Sequence, residues 1–371
     1  MGCSVIERDS TPGPAGIGPK DVSGLIRRVS GHLVRELAAE CGFALAGVAA
    51  AGPAPDFGRY RDWLDRGLAG EMRYLTDHRA KIRSHPEALL PGVRSVISVG
   101  MLYNGPEPNS TEFSDPERAW ISRYAWGEDY HAKIRAKLEE LACKLLKTEK
   151  FVWRACVDTA PLLERSFARQ AGLGWIGKNT CLINQEMGSW FFLAELLTTL
   201  EIAPDSPPPD RCGTCTRCID ACPTAAIVPA AGGEYELDAR LCISYFTIEL
   251  RSSIPAPQRA AVGHHIFGCD ICQDVCPWNR RAPQSAQPAR PELFAPPLEK
   301  LAALSEAEFR QMFRTTPVSR AKYSGFLRNV VLAMGNSGLQ KFRAPLLRLV
   351  GSPDAVVCEQ AQWALQQLDH C

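Results

Sequence analysis

No run of 18 apolar residues occurs in this 371-residue chain, so it offers no candidate transmembrane helix. Charge of one sign is also lacking. Lys and Arg number 42 against 41 Asp and Glu, a formal net charge of +1. That balance argues neither for nor against nucleic acid, and any basic patch must be local. Arg27-Arg28 has the look of a twin-arginine export signal. The residues after it, Val-Ser-Gly-His-Leu-Val-Arg-Glu, lack an apolar core of the kind such signals need. The expectation is a cytoplasmic protein that uses no membrane.

Cysteine is not scarce: there are 15. Eight fall in and around one stretch, from Cys212 to Pro277. It opens Cys212-Gly-Thr-Cys215-Thr-Arg-Cys218-Ile-Asp-Ala-Cys222-Pro223, the C-x2-C-x2-C-x3-C-P pattern that ligates [4Fe–4S] clusters in bacterial ferredoxins. It closes Cys269-Asp-Ile-Cys272-Gln-Asp-Val-Cys276-Pro277, one Cys short, because Ile266 stands where the first should be. Cys242 lies upstream and can fill the vacancy. In a two-cluster arrangement the last Cys of each run crosses to the other cube. One cluster then takes Cys212, Cys215, Cys218 and Cys276, and the other takes Cys222, Cys242, Cys269 and Cys272. A pair of zinc knuckles is the competing reading, but the Cys-Pro endings and the cross-ligation suit iron–sulfur chemistry better. Thiolate ligands require a reducing compartment, which excludes a secreted disulfide framework. The other seven cysteines are scattered, several among apolar residues, as small buried hydrophobes are.

Along the chain, residues 1–20 are rich in Gly, Pro and Ser and read as a disordered tail. Helical spacing predicts a helix near 23–40, carrying Ile26, Val29, Leu33 and Leu37. Strands are expected at 43–48, 94–102 and 151–157, with an amphipathic helix bearing Ile134, Leu138, Leu141 and Leu145 between the last two. Another helix carries Leu162, Leu163, Phe167 and Ala171. This alternation predicts an α/β domain over 21–205. Ser122–His131 is polar and aromatic and reads as a surface loop. Pro-rich segments at 201–210 and 282–297 bound a cluster-bearing segment, 206–285, with a hairpin turn at Ala231-Gly-Gly-Glu234. Residues 290–371 read as helical. Phe326–Asn336 and Val357–Leu368 suit a HEAT-type pair that is too short to stand without the rest of the chain.

Several motifs have two readings. Gly172-Leu-Gly174-Trp-Ile-Gly177-Lys178 spells a nucleotide-binding pattern, but the residues before it are helical where a strand is required. A glycine-rich helix exit that permits close backbone approach fits better. Asp158 ends a strand just before a helix. It is either a helix N-cap or a general acid whose proton is retained in an apolar pocket, and the two roles can coexist. His131 and the pair His264-His265 are possible metal ligands, though lone histidines are more often structural. Phe313–Arg328 is basic with interleaved aromatics. It reads either as a solvated helix face or as a site for phosphate contact and base stacking.

Ser122–His131, Val157–Arg165, Ala171–Lys178, Arg211–Pro223, Leu241–Leu250 and Phe267–Asn279 together resemble the epoxyqueuosine reductase family, cobalamin-dependent iron–sulfur enzymes of tRNA queuosine synthesis. The resemblance spans about residues 20 to 340 and leaves the 1–20 tail outside. It implies an α/β cobalamin-binding domain (21–205), a two-[4Fe–4S] ferredoxin-like domain (206–285) and a C-terminal α-helical HEAT-like module (290–371). It implies reduction of epoxyqueuosine to queuosine at the wobble position of tRNA anticodons, the last step of queuosine biosynthesis. The cofactors it implies are two [4Fe–4S] clusters and cobalamin. The family's proton donor, also a cofactor contact, falls on Asp158. Other corrinoid contacts would fall at Leu182, Leu193, Ser244 and Ile266. No Asp-x-His-x-x-Gly run is present to supply a lower cobalt ligand. The implied partners are the anticodon stem-loop of a queuosine-family tRNA and an external low-potential electron donor, with the protein a monomer. A reductive dehalogenase and a ferredoxin-like electron carrier are the rival readings.

If Cys242 is the eighth ligand, Cys242→Ser will degrade one cluster and spare the other, read by iron content and paramagnetic resonance. Equal loss of both clusters, or of neither, would refute the count.

Overall fold

Residues 29–285 and 290–370 are described by the computed structural model of the chain. The expected 1–20 tail, the start of the expected 23–40 helix with Ile26, and part of the second Pro-rich linker lie outside the described residues. Four strands form the main sheet: β1 (Leu45–Ala50), β2 (Ser95–Leu102), β3 (Trp153–Cys156) and β4 (Phe191–Thr198). They lie in the order β1-β2-β4-β3, and every neighbouring pair is antiparallel. Helices and strands alternate along the chain as expected, yet the sheet contains no parallel crossover. The rule that ligands sit at the strand ends of parallel sheets therefore does not place this protein's site.

The central strands are largely apolar on both faces because both faces are covered. Helices α1 (Gly31–Glu40) and α2 (Tyr130–Leu145) pack on one face, placing Val34, Ala38, Ile134, Leu138, Leu141 and Leu145 against Val48, Ile97, Val99 and Leu196. Ser30 starts α1 by accepting the Leu33 N–H at 3.3 Å. Helix α3 (Glu164–Gln170) covers the other face, with Phe167 and Ala168 against Val96, Cys156 and Leu197. The chain leaves α3 through Gly172, at φ +79°. Two residues on, a Cβ at Gly174 would lie 2.2 Å from the Ile183 carbonyl oxygen. The close approach foreseen from these glycines is thus to the protein's own Trp175–Ile176/Leu182–Ile183 hairpin.

Ser122–His131 is not a surface loop. Ser122, Arg123, Ala125, Trp126 and Tyr130 are all buried. Arg123 donates to the carbonyls of Gly105 (2.9 Å) and Glu107 (3.0 Å), and its guanidinium lies over Trp126 and Trp190. The segment enters beside a short parallel pairing of Trp120–Ile121 with His265–Phe267, which joins the sheet domain to the cysteine-bearing segment. In that segment the expected turn at 231–234 connects the antiparallel strands Ile227–Pro229 and Tyr235–Leu237.

The C-terminal region contains α4 (Glu306–Phe313), α5 (Lys322–Asn336), α6 (Arg343–Val350) and α7 (Ala355–Asp369). Helix α5 is buried from Gly325 to Gly335. One apolar core runs from α5 and α7 through Phe309 and Phe313 to Ile121, Ile248, Ile266 and Phe267, so these helices do lean on the rest of the chain. The basic-aromatic stretch 313–328 is largely interior. Phe313 and Phe326 are fully buried core side chains, which rules them out as a base-stacking platform. Arg328 is fully buried as well. Its Nη1 donates to the carbonyls of Leu250 (3.0 Å) and Ser252 (2.6 Å), its Nη2 to that of Phe246, and its Nε to Asn329 Oδ1 at 3.0 Å. These carbonyls belong to the wide π-helical turn Tyr245–Glu249 and the residues after it. Burial lowers the Arg328 pKa to about 10, so the guanidinium stays charged at neutral pH.

Replacing Arg328 with Leu strands these buried carbonyls and is expected to cost about 3 kcal/mol. The denaturant midpoint measures this, and an unchanged midpoint would mean the clamp carries no stability.

Candidate functional site

Two groups of thiols form around the cysteine segment. Burial raises the Cys218 pKa to about 11, with Cys276, Cys212 and Cys215 adding their charges. Burial likewise raises Cys276 to about 11, with Cys181, Cys212 and Cys215 contributing. These four line a cavity of about 310 Å³ together with Ile183 and Trp278. In the second group burial pushes up Cys269, helped by Cys242 and Cys222. Cys272 is raised by its contact with Cys181, by burial, and by Cys269 and Cys242. Cys181, outside the eight, neighbours both groups, through Cys272 and through Cys276. Among the described residues no three His, Cys, Asp or Glu side chains converge on one point as a single-ion site would require. The first set instead surrounds a space. Bound iron would ionise such thiols outright.

The glycine-rich stretch that spelled a nucleotide motif holds both cysteine loops. Lys178 Nζ donates to the carbonyls of Gly213 (2.7 Å) and Cys215 (3.0 Å), and Asn179 Nδ2 donates to that of Cys272 (3.3 Å). A lysine following glycines gave a false phosphate signal, and nothing in the sequence indicated that it reaches a cysteine loop 35 residues away.

Asp158 marks a second centre. It does not cap α3: the N-cap is Leu163, with no side-chain cap bond. Its carboxylate faces the other way, into a recess formed by several elements. Tyr130 Oη donates to Oδ2 at 2.9 Å, His131 Nε2 lies 3.2 Å from Oδ2, and Arg320 Nη1 lies 3.4 Å from the same oxygen. Among the described residues no hydrogen bond reaches Oδ1. The backbone at Asp158 has φ +51°, a strained left-handed conformation for a non-glycine residue. Its amide donates to Glu164 Oε1 at 2.6 Å.

The recess has aromatic walls. Tyr130 stacks on Phe192 (4.0 Å, 16°) and on His131 (4.3 Å, 21°), and Tyr124 meets Tyr130, Phe192 and Phe267 edge-on or tilted. Tyr74, raised to about 12 by burial, feels Glu249, Arg320 and Asp158. The expectation that Asp158 would have a raised pKa is not met. Burial does push it up, but the His131 hydrogen bond, the Arg320 charge and the Tyr130 hydroxyl outweigh it and hold the carboxyl below its usual range. His131 is raised, first by its hydrogen bond with Asp158, against burial, and then by Asp129.

Both ring nitrogens of His131 are engaged, Nδ1 with Asp129 at 2.6 Å and Nε2 with Asp158. It is not a free metal ligand. Burial lowers the pKa of His265 to about 4, and its Nδ1 meets the Val262 carbonyl. Of the residues carried over as corrinoid contacts, Leu182 and Ile266 are fully enclosed, in different apolar cores. Leu193 on β4 and Ser244, which leads into the π-helical turn, are half-buried. Tyr124, Tyr130 and Arg320 lay inside stretches read as a loop or a basic helix. Only the folded chain brings them to Asp158.

A family model described as "Epoxyqueuosine reductase QueG, DUF1730" matches residues 83–159. One described as "4Fe-4S double cluster binding domain" matches residues 211–279, the segment that carries all eight thiols. The chain is 42% identical over 341 residues to the epoxyqueuosine reductase of Xanthomonas campestris pv. campestris, covering 90% of this chain and 95% of that one. It is 40% identical over 344 residues to that of Pseudomonas aeruginosa, covering 90% and 93%. A solved epoxyqueuosine reductase, crystallised with a tRNA-Tyr epoxyqueuosine-modified stem loop, superimposes with a TM-score of 0.82. It shares 30% identity, and the alignment covers 91% of this chain and 89% of that one.

The acid beside Asp158 predicts a pH effect on stability. Burial, then the charge of Asp158, raises Glu164 from 4.5 to about 8. The folded chain thus keeps a proton that the unfolded chain releases. This contribution is full below pH 4.5 and is lost as pH rises toward 8. Glu164→Gln is expected to show a smaller fall in Tm over that window. Identical slopes in the two proteins would sink the assignment.

Proposed function

The chain belongs to the epoxyqueuosine reductase family, and we propose from that premise how its two centres reduce epoxyqueuosine to queuosine in tRNA. The observation that carries the mechanism is the conjunction, in one chain, of two four-thiol sets with a carboxylate whose partners all sit on one oxygen. Opening the epoxide and expelling its oxygen as water consumes two electrons and two protons. We assign one [4Fe–4S] cluster to Cys212, Cys215, Cys218 and Cys276, and the other to Cys222, Cys242, Cys269 and Cys272.

For the corrinoid we propose residues 21–205 as the main binding domain, with Leu193 and Ser244 touching it and Leu182 and Ile266 supporting them from behind. Half-buried apolar and hydroxyl groups suit a broad cofactor face, and His131 is not free to ligate cobalt. When bound, the corrinoid supplies a strongly reducing metal centre, fed singly with electrons through the clusters from an external low-potential donor. Residues 290–371 are read as a HEAT-like module, and the protein as a cytoplasmic monomer.

Asp158 holds the proton destined for the epoxide oxygen, and Oδ1 is the atom that presents it. Exclusion of water from Oδ1 when the recess is covered would raise its proton affinity. After the proton has left, Tyr130, His131 and Arg320 stabilise the carboxylate through Oδ2. The same three contacts keep the side chain in one orientation throughout. Arg320, brought from the C-terminal region, ties the last part of the chain to the proton donor.

Asp158→Asn keeps the three neighbours but has no acid to give. We expect it to retain both clusters and cobalamin while losing most turnover of epoxyqueuosine-containing tRNA, by roughly 100-fold or more. A fully active variant, with cofactor content confirmed by absorbance, would remove Asp158 from this role.

A further inference from the structure

Glu195 lies in the middle of β4 with no exposed surface. In register it faces Ser98 on β2 and Cys156 on β3. The polar groups around it are the Ser98 hydroxyl and the Glu164 carboxyl, and no well-formed hydrogen bond reaches either of its oxygens among the described residues. A carboxyl in such a place, with no cation beside it, is neutral. A leucine would fill this position in a sheet core more favourably, so an acid here points to a use.

That use lies one residue further toward the site. Glu164 stands between Glu195 and Asp158. Its Oε1 accepts the Asp158 amide at 2.6 Å, and the Thr159 amide then closes onto the Val157 carbonyl at 2.5 Å. This is the turn in which Asp158 has φ +51°. Left-handed backbone at a non-glycine residue persists only where its surroundings fix it. Glu164 is the first residue of α3, where an acid commonly sits over the helix dipole. The dipole alone does not call for a side chain that reaches six residues back to a turn.

We propose that Glu164 is the positioning residue of the Asp158 turn, with the buried Glu195 side chain behind it on the sheet. The Asp158 amide then has a fixed acceptor, which sets the direction of the Asp158 side chain. Tyr130, His131 and Arg320 meet Oδ2 from the other side, so the residue is held at its backbone amide and at one carboxylate oxygen. The inference rests on Asp158 being the proton-holding group.

Three variants test it in the cofactor-loaded enzyme and, separately, by amide hydrogen exchange of the peptide containing Asp158. Glu164→Ala should lower kcat about 100-fold with KM for the modified stem loop unchanged, and should speed exchange of the Asp158 amide. Glu164→Gln, whose amide oxygen can accept the same N–H, should recover most of both losses. In an infrared difference spectrum at neutral pH, Glu195→Gln should remove the carbonyl stretch of a neutral carboxylic acid, with Asp158 amide exchange unchanged. Unaltered exchange in Glu164→Ala, or a Glu164→Gln variant as impaired as Glu164→Ala, would overturn the positioning role. Carboxylate bands in place of the neutral-acid band would overturn the assignment of Glu195. A fully active Asp158→Asn would instead overturn the premise and leave the exchange result standing.

Discussion

Asp270 is the constraint on which the arrangement depends. It sits between Cys269 and Cys272 with 2% of its surface exposed. Its Oδ1 receives the Ser122 hydroxyl, and its Oδ2 receives the Arg123 amide at 2.7 Å and the Trp120 indole at 3.4 Å. Burial drives this carboxyl toward neutrality, and those donors with the Arg123 charge pull it back. Breaking any one of them leaves a buried polar group unmatched, at about 1–3 kcal/mol. The three donors belong to the segment that leads into Tyr124, Tyr130 and His131. One buried side chain therefore sets the second cysteine loop relative to the walls of the Asp158 recess.

The same logic recurs with opposite sign at Arg328. It clamps the carbonyls of Phe246, Leu250 and Ser252, and Asn329 beside it donates to the carbonyls of Thr247 and Ile266 at 2.9 Å each. The π-helical turn that follows Ser244 is thus held by helix α5 as well as by its own backbone bond from the Leu250 N–H to the Tyr245 carbonyl at 3.0 Å. Arg320 sits one turn before that helix, on the Pro317–Ala321 turn, and Arg251 holds its carbonyl at 3.1 Å. Buried charges here hold irregular backbone, the task for which a charge-assisted donor is worth its desolvation.

The cluster-binding segment was legible in the sequence because ligand spacing is local and its chemistry demands fixed intervals. The helical stripe of Ile134, Leu138, Leu141 and Leu145 was legible for the same reason. The direction of the strands was not, since alternation of helix and strand leaves open which neighbours pair. Ser122–His131 misled because its polar atoms are satisfied inside the protein, by Asp270 and by carbonyls of residues 105–108. Phe313–Arg328 misled in the same way, its aromatic side chains Phe313 and Phe326 and its Arg328 turned inward. Glu164 and Glu195 left no signal at all: a lone acid on a helix and another in a strand are unremarked until the sheet sets them face to face. Asp158 was visible as a position, but its electrostatics depended on partners 28 residues before it and 162 after.

The recess around Asp158 draws side chains from positions 74, 124, 130, 158, 249 and 320. That order has a consequence during synthesis. Every cysteine of both thiol sets has left the ribosome before Arg320 is made. The cysteine segment is then complete while the recess around Asp158 still lacks its last wall. Completion of the chain, not of the cysteine segment, is then what closes the recess.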